Sequence, residues 1–224
     1  MDEIILQTSG AGLDTTINGG DDRDTITVQS TGPDSKTSVN GGFGADVINV
    51  QTISGNTTLN GGVGCDHINV SSDAPGMGGT LNGIAASLTV NGDDHFDTLT
   101  ISDAGDTDSN TGDLSSTQLT GFGLGEALTY NGFETLNVYL GSGSDWISVY
   151  STHAPAVTNL NAGSGDDAYL IHDNWGSLNI TEQGGNGSDW LTFTGVTKDL
   201  AFSIGSQGVY RGSVYVEDQA NPLT

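Results

Sequence analysis

The chain has 224 residues, of which only 34% are hydrophobic, and it contains 35 glycines against 4 prolines. Its 28 acidic residues and 4 Lys and Arg give a formal charge of −24, which disfavours nucleic acids and anionic membranes as partners. The single cysteine, Cys65, excludes an internal disulfide framework, and no apolar run is long enough to cross a bilayer, so we expect no membrane insertion.

A glycine-rich turn that ends in aspartate recurs along the chain at a nearly fixed period. Its clearest copy is Gly41-Gly42-Phe43-Gly44-Ala45-Asp46. The steps between successive copies are 22, 20, 31, 48, 22 and 22 residues, and the final aspartates are Asp24, Asp46, Asp66, Asp97, Asp145, Asp167 and Asp189. Asp2 lies 22 residues before Asp24, so we interpret the chain as beginning inside a repeat. Glycines at fixed offsets indicate an ordered chain despite the low hydrophobic content.

Short segments of alternating polarity flank each turn and predict β-strands. In the first unit Ile17 precedes the turn, and Ile26 and Val28 follow it at alternate positions. The matching positions of later units carry Val39, Ile48 and Val50; Leu59, Ile68 and Val70; Val90, Leu99 and Ile101; Val138, Ile147 and Val149; Leu160, Tyr169 and Ile171; and Ile180, Leu191 and Phe193.

A strand of about five residues cannot bury one apolar face alone, whereas equivalent strands stacked about 4.8 Å apart form a continuous core. We therefore predict an all-β fold, a right-handed parallel β-helix (β-solenoid) with about 22 residues per coil. The handedness follows the general preference of parallel crossovers. Antiparallel hairpins are the competing interpretation.

We expect residues 1–224 to form a single β-solenoid domain, a fragment of a larger repeat protein. The period is interrupted by two polar segments, which we interpret as loop insertions near 71–80 and 102–118. The segment Leu128–Val138 has the pattern of a strand, a turn and a strand, which indicates a coil without its own Asp turn. Residues 205–224 are a candidate cap.

Three copies of the turn, starting at Gly41, Gly61 and Gly184, fit the pattern G-G-x-G-x-D-x-U-x, in which U is a large apolar residue. This pattern resembles the hemolysin-type calcium-binding (RTX) repeat family. The resemblance implies that backbone carbonyls of the turn and the Asp carboxylate bind Ca²⁺, a hard cation that takes six to eight oxygen ligands. The implied metal-binding residues are Asp24, Asp46, Asp66, Asp97, Asp145, Asp167, Asp189, Gly42, Gly44, Gly62, Gly64, Gly143, Gly165 and Gly187.

The spacing of the turns departs from the family pattern. RTX β-rolls place two nonapeptides in each coil, whereas this chain has one turn per roughly 22 residues, so we expect a single row of ions along one edge. In the alternative interpretation, each Asp accepts hydrogen bonds from backbone N–H groups of its own turn, and no metal is bound. The segment Asp106–Asn110 resembles the start of an EF-hand loop, but Thr117 stands where the closing Glu should be, so we interpret it as a solvated loop.

Trp146 and Trp190 each follow the Asp of a turn directly, two coils apart, on the face opposite the inward residues. Their side chains would lie about 10 Å apart and could stack against sugar rings. In the alternative interpretation they cover the flank of the solenoid or contact a neighbouring domain.

No cluster of residues predicts catalysis. The four histidines, His67, His95, His153 and His172, are scattered, and no nucleophile signature surrounds a Ser. We therefore predict a non-enzymatic, calcium-stabilised structural or adhesion module of an extracellular or cell-surface repeat protein. Its expected partners are calcium ions and neighbouring domains or copies of the same protein, with glycans as further candidates. The alternative is a carbohydrate-binding or polysaccharide-modifying β-helix.

Overall fold

The computed structural model describes residues 1–172, 176–181, 187–194 and 214–216. Regular structure within these ranges consists of β-strands, numbered in chain order, and includes no helix. One sheet has eight strands, in the spatial order β1 (Glu3–Leu6), β3 (Thr25–Val28), β5 (Val47–Val50), β7 (His67–Val70), β9 (Thr98–Ser102), β13 (Thr135–Tyr139), β15 (Val157–Asn161) and β17 (Ser177–Thr181).

The second sheet has eleven strands among the described residues. Their spatial order is β2 (Asp14–Asp21), β4 (Lys36–Phe43), β6 (Asn56–Val63), β8 (Leu88–Asp94), β12 (Leu128–Asn131), β11 (Gln118–Gly121), β10 (Thr111–Leu114), β14 (Trp146–Val149), β16 (Ala168–Ile171), β18 (Trp190–Phe193) and β19 (Val214–Val216).

From β1 to β9 and from β13 to β18, the chain alternates between the two sheets, and each strand pairs in parallel with the equivalent strand of the next repeat. Ile26 pairs with Ile48, Ile48 with Ile68, and Ile68 with Leu99, all in the eight-stranded sheet. The exception to parallel pairing is β11, which runs antiparallel to both β10 and β12. The predicted all-β character and the mainly parallel strand pairing are confirmed, and among the described strands antiparallel pairing is confined to this short segment.

The core lies between the sheets and is built by the predicted alternation. Ile26, Ile48 and Ile68 from one sheet are fully buried, and they share one apolar cluster with Val39 and Leu59 from the other. Burial of each such side chain contributes roughly 1.5–3 kcal/mol to the free energy of folding before opposing terms. Because the same position is apolar in repeat after repeat, the cluster is continuous along the stack.

An asparagine ladder fixes the register of the eleven-stranded sheet just before the turns. The side-chain amide of Asn40 donates to Oδ1 of Asn18 at 2.8 Å, and Asn60 donates to Asn40 at 2.7 Å. Asn91 donates to Asn60 in the same way at 2.7 Å. Each ladder residue immediately precedes the first glycine of its turn. A shift by one residue would break every bond of the ladder, so the turns are held in alignment.

The predicted continuation of the apolar ladders through Val138, Ile147 and Val149 is wrong. Val138 pairs with Ile101 in the eight-stranded sheet, and Ile147 lies between Gly112 and Tyr169 in the eleven-stranded sheet. The physical reason is that residues 111–131 add three strands, β10, β11 and β12, to one sheet only. The next strand, β13, enters the eight-stranded sheet. The turn before β14 therefore leads from the eight-stranded to the eleven-stranded sheet, whereas the earlier Asp turns lead from the eleven-stranded to the eight-stranded sheet.

The two segments that interrupt the period differ from one another. Residues 71–87, between β7 and β8, form no named strand. The segment 102–118 includes β10, and its Asp103 and Asp106 are buried, so the interpretation of Asp106 as part of a solvated loop is wrong. The candidate cap at 205–224 lies outside the described residues except for the backbone of β19, which pairs with β18. No helix in the described part of the chain could span a membrane.

Candidate metal centre

The turn aspartates form two rows. The first row consists of Asp24, Asp46, Asp66 and Asp97, which follow turns that lead from the eleven-stranded to the eight-stranded sheet. The second row consists of Asp145, Asp167 and Asp189, which follow turns that lead back again. Since all strands joined by these turns run parallel within their sheets, the rows lie at opposite edges. The expectation of a single row along one edge is therefore wrong for the carboxylates.

Within the first row, each carboxylate is bonded to the neighbouring repeat. The backbone N–H of Asp24 donates to Oδ1 of Asp46 at 2.7 Å, and that of Asp46 donates to Oδ1 of Asp66 at 2.7 Å. Asp66 donates to Asp97 in the same way at 2.8 Å. The bonds thus join consecutive repeats, whereas the metal-free interpretation predicted bonds within one turn.

The second row repeats this arrangement. The backbone N–H of Asn110 donates to Oδ1 of Asp145, and that of Asp145 donates to Oδ1 of Asp167, both at 2.8 Å. The N–H of Asp167 donates to Oδ1 of Asp189 at 3.0 Å. The same bond in both rows indicates that it follows from the turn sequence and not from one edge of the molecule.

The second carboxylate oxygen is left without a partner in five of the seven turns. This Oδ2 atom is buried and accepts no hydrogen bond in Asp24, Asp46, Asp66, Asp97 and Asp167. An unsatisfied buried polar atom costs about 1–3 kcal/mol, and more when the group is charged. A native protein compensates such an oxygen with a proton or a cation.

Burial and neighbouring charges act on the acidity of these groups. Desolvation is the largest cause, and it raises the pKa of Asp97 to about 7 and that of Asp167 to about 6. Hydrogen bonds from the backbone of Asp66 and Asp145 oppose these shifts, and neighbouring carboxylates add to them. The pKa of Asp46, Asp66 and Asp145 is also raised, mainly by desolvation.

The predicted glycines are explained by close stacking of the turns. A Cβ atom on Gly44 would overlap the carbonyl oxygen of Asp22, and one on Gly64 would overlap that of Gly44. Their φ angles of 139° and 158° also lie in a region that L-residues rarely adopt. The same overlap with the preceding turn occurs at the remaining predicted glycines, Gly42, Gly62, Gly143, Gly165 and Gly187. These glycines are therefore required by the packing of the repeats whether or not a cation is bound.

The donor chemistry of the turns fits a hard cation. Each of the five turns with an orphaned Oδ2 offers one carboxylate oxygen. Four of these turns contain at least two glycines, and the turn of Asp97 keeps only Gly92. No group of three or more His, Cys, Asp or Glu side chains is placed to hold a metal ion among the described residues. The further oxygens that Ca²⁺ requires would therefore come from backbone carbonyls, which Ca²⁺ accepts.

Two carboxylates that the turn motif missed make the same bond. Oε2 of Glu134 accepts a hydrogen bond from the backbone N–H of Asp97 at 2.7 Å and continues the first row. Oδ1 of Asp103 accepts one from the N–H of Leu81, 22 residues earlier, at 2.7 Å. Burial raises the pKa of Asp103 to about 7. The sequence signal that could have found both residues is an acid just after a turn that stacks on the turn of the previous repeat. Such a search would have to drop the requirement for the glycine pattern.

Comparison with protein-family models, with curated proteins and with solved structures found no match to this chain. The similarity to hemolysin-type repeats therefore rests on the turn residues themselves.

Proposed function

We propose that this chain is a right-handed parallel β-helix whose Asp turns bind Ca²⁺, and that it serves as a non-catalytic structural or adhesion module. Calcium would be held by the row aspartates through Oδ2 and by carbonyls of the glycine-rich turns. Its chemical contribution would be neutralisation of buried carboxylates, which couples folding to the cation. The RTX-like pattern of the turns supports this assignment.

The observation that carries the proposal is the orphaned Oδ2 of the row aspartates. In Asp46, for example, Oδ1 is satisfied by the N–H of Asp24 while Oδ2 is buried without a partner. A purely structural role explains the hydrogen bond of Oδ1, but it does not explain why Oδ2 is buried without a partner. With a net charge of −24, stacking such carboxylates without counter-ions would also oppose folding through repulsion.

Asp46→Asn tests the proposal because the variant keeps the bond to Asp24. The side-chain carbonyl of Asn can accept that N–H, while an amide nitrogen replaces Oδ2. We expect wild-type protein to melt at a higher temperature in calcium than in chelator, and Asp46→Asn to lose part of that gain. When free calcium is at 100 times the dissociation constant of a site, its binding raises the free energy of unfolding by about 2.7 kcal/mol. Calorimetric titration should show fewer bound ions in the variant.

Asp34→Asn is the matched control, because Asp34 is exposed and belongs to neither row. It removes the same charge, and we expect its calcium dependence to equal that of the wild type. In calcium-free buffer, Asp46→Asn should be at least as stable as wild type, because it removes a buried charge. Equal calcium stabilisation of Asp46→Asn and wild type would contradict the proposal for that turn.

We further propose an extracellular or cell-surface location within a larger repeat protein. Modules that bind calcium with dissociation constants of about 10⁻⁴–10⁻³ M are typical of extracellular proteins. Among the described strands, β1 and β2 lie at one edge of their sheets, which suits contact with neighbouring domains or with copies of the same protein. A dissociation constant far below this range would contradict the location.

A further inference from the structure

An apolar slot interrupts the outer surface of the eleven-stranded sheet. Trp146, Ala168 and Trp190 are paired side by side on β14, β16 and β18. The two indoles are 48% and 46% exposed, and they flank a cavity of about 230 Å³ above the small side chain of Ala168. The described strands at the other end of this sheet carry polar residues at the outward positions, such as Ser38, Thr58 and Thr89.

The width of the slot suits a guest of about one ring. Adjacent strands lie about 4.8 Å apart, so the two tryptophan Cα atoms are separated by roughly 10 Å. The C–H faces of a pyranose pack against aromatic rings such as these indoles.

Polar groups lie beside the slot along the same strands. Thr192 lines it, and Nε1 of Trp146 donates to the hydroxyl of Ser148 at 3.4 Å. Further along, the rings of Tyr150 and His172 stack with centroids 4.4 Å apart and planes 11° from parallel. Tyr150 is 49% exposed, so its hydroxyl can exchange hydrogen bonds with sugar hydroxyls beside the apolar faces of the slot.

The charges of the molecule restrict the ligand. A protein of charge −24 repels acidic polysaccharides. An organic cation would be attracted to the molecule and to the indole faces. None of the residues lining this cavity, Trp146, Ala168, Tyr169, Leu170, Trp190 and Thr192, carries a charge to pair with it. The neighbouring carboxylates of Asp145 and Asp167 are buried and bonded to backbone N–H groups. We therefore take a neutral guest as the occupant, and an organic cation as its competitor in the test.

We propose that Trp146, Ala168 and Trp190 form a binding slot for a neutral pyranose unit of a polysaccharide. The proposal does not require that the calcium proposal be correct, because none of the residues lining the slot is a proposed calcium ligand. It adds a ligand to the structural module proposed above.

The test uses the whole chain and neutral hexasaccharides of β-1,4-glucose, α-1,4-glucose, β-1,4-mannose and β-1,4-N-acetylglucosamine at millimolar concentration. Titration calorimetry and NMR shifts of the indole N–H groups report binding. We expect at least one oligosaccharide to bind, and Trp146→Ala and Trp190→Ala to weaken binding at least tenfold. Ala168→Leu, which fills the slot and keeps both indoles, should weaken it similarly.

Phe43→Ala is the matched control, because Phe43 is an exposed aromatic residue on a turn far along the sheet from the slot. It should bind like wild type, and thermal melting should show that every variant is folded. The proposal is overturned if no neutral hexasaccharide binds the folded wild type, or if Ala168→Leu binds as well as wild type. Preferential binding of tetramethylammonium, or slot-dependent self-association of the chain, would also overturn it, because another occupant would then be identified.

Discussion

Five of the seven row aspartates use their two carboxylate oxygens differently. Oδ1 of Asp46 or Asp66 accepts a backbone N–H from the preceding repeat, and Oδ2 remains buried and free. The first oxygen therefore contributes to stacking, and the second is available to a proton or a cation. This division explains why a single residue type recurs at the turn, since Asn would supply the acceptor but not the free anionic oxygen.

Gly64 is the residue at which close stacking can be tested most directly. A Cβ atom would overlap the carbonyl oxygen of Gly44, so we expect Gly64→Ala to lower the free energy of unfolding by about 3 kcal/mol or more. Gly12→Ala is the control, because Gly12 also has a positive φ, of 68°, but has open space around it. The control substitution Gly12→Ala should lower the free energy of unfolding by about 1 kcal/mol. Urea denaturation in chelator measures both, and equal losses would contradict the stacking argument.

At the scale of elements, the turns and the strands have separable roles. The turn motif occurs at both edges of the sheets, before β5 in one row and before β14 in the other. The turn needs a strand before it, a strand after it and the turn of an adjacent repeat to stack on. The motif therefore does not determine which sheet comes next, and the three extra strands of residues 111–131 are enough to move the row to the opposite edge.

Glu134 continues the first row where the glycine pattern is lost. Its carboxylate accepts the N–H of Asp97, which would otherwise lose this partner at the end of the turn. We expect Glu134→Ala to lower the free energy of unfolding by about 1–2 kcal/mol, and Glu134→Gln, which keeps an acceptor, by less than 1 kcal/mol. Chemical denaturation of the two variants in calcium-free buffer makes the comparison. Equal losses in the two variants would contradict the role of the hydrogen bond, because both remove the charge and only Gln keeps the acceptor.

At the scale of the whole molecule, the fold buries eight acidic side chains among the described residues. The pKa of Asp97 and that of Asp103 are raised to about 7, and that of Asp167 to about 6, from an ordinary value of 3.8, with desolvation as the main cause. Several carboxyl groups in the calcium-free protein therefore bind protons more tightly when the chain is folded than when it is unfolded. Protonation and calcium binding are alternative ways to neutralise the row carboxylates.

The stability of the calcium-free protein should consequently fall as the pH rises. Between about pH 4 and pH 7 the folded state holds protons that the unfolded state has released, so the free energy of unfolding decreases with pH across this window. Calcium-loaded protein should show a weaker decrease, because the cation takes the place of the protons. Urea midpoints measured from about pH 5 to pH 8, with and without calcium, test this. A calcium-free stability that increases steadily over the range would contradict it.

The sequence by itself determined the strands of the first repeats, their apolar ladders and the alignment of their turns, because these depend on local alternation and on a period that is visible in one dimension. It predicted Ile26, Ile48 and Ile68 as neighbours, and the register confirms them. The tertiary structure decided that the aspartates divide into two rows, and that each carboxylate bonds to the next repeat. It also brought Glu134 and Asp103 into equivalent bonds. These features depend on which sheet each strand enters and on which backbone lies beneath each turn, and that requires the three-dimensional path of the chain.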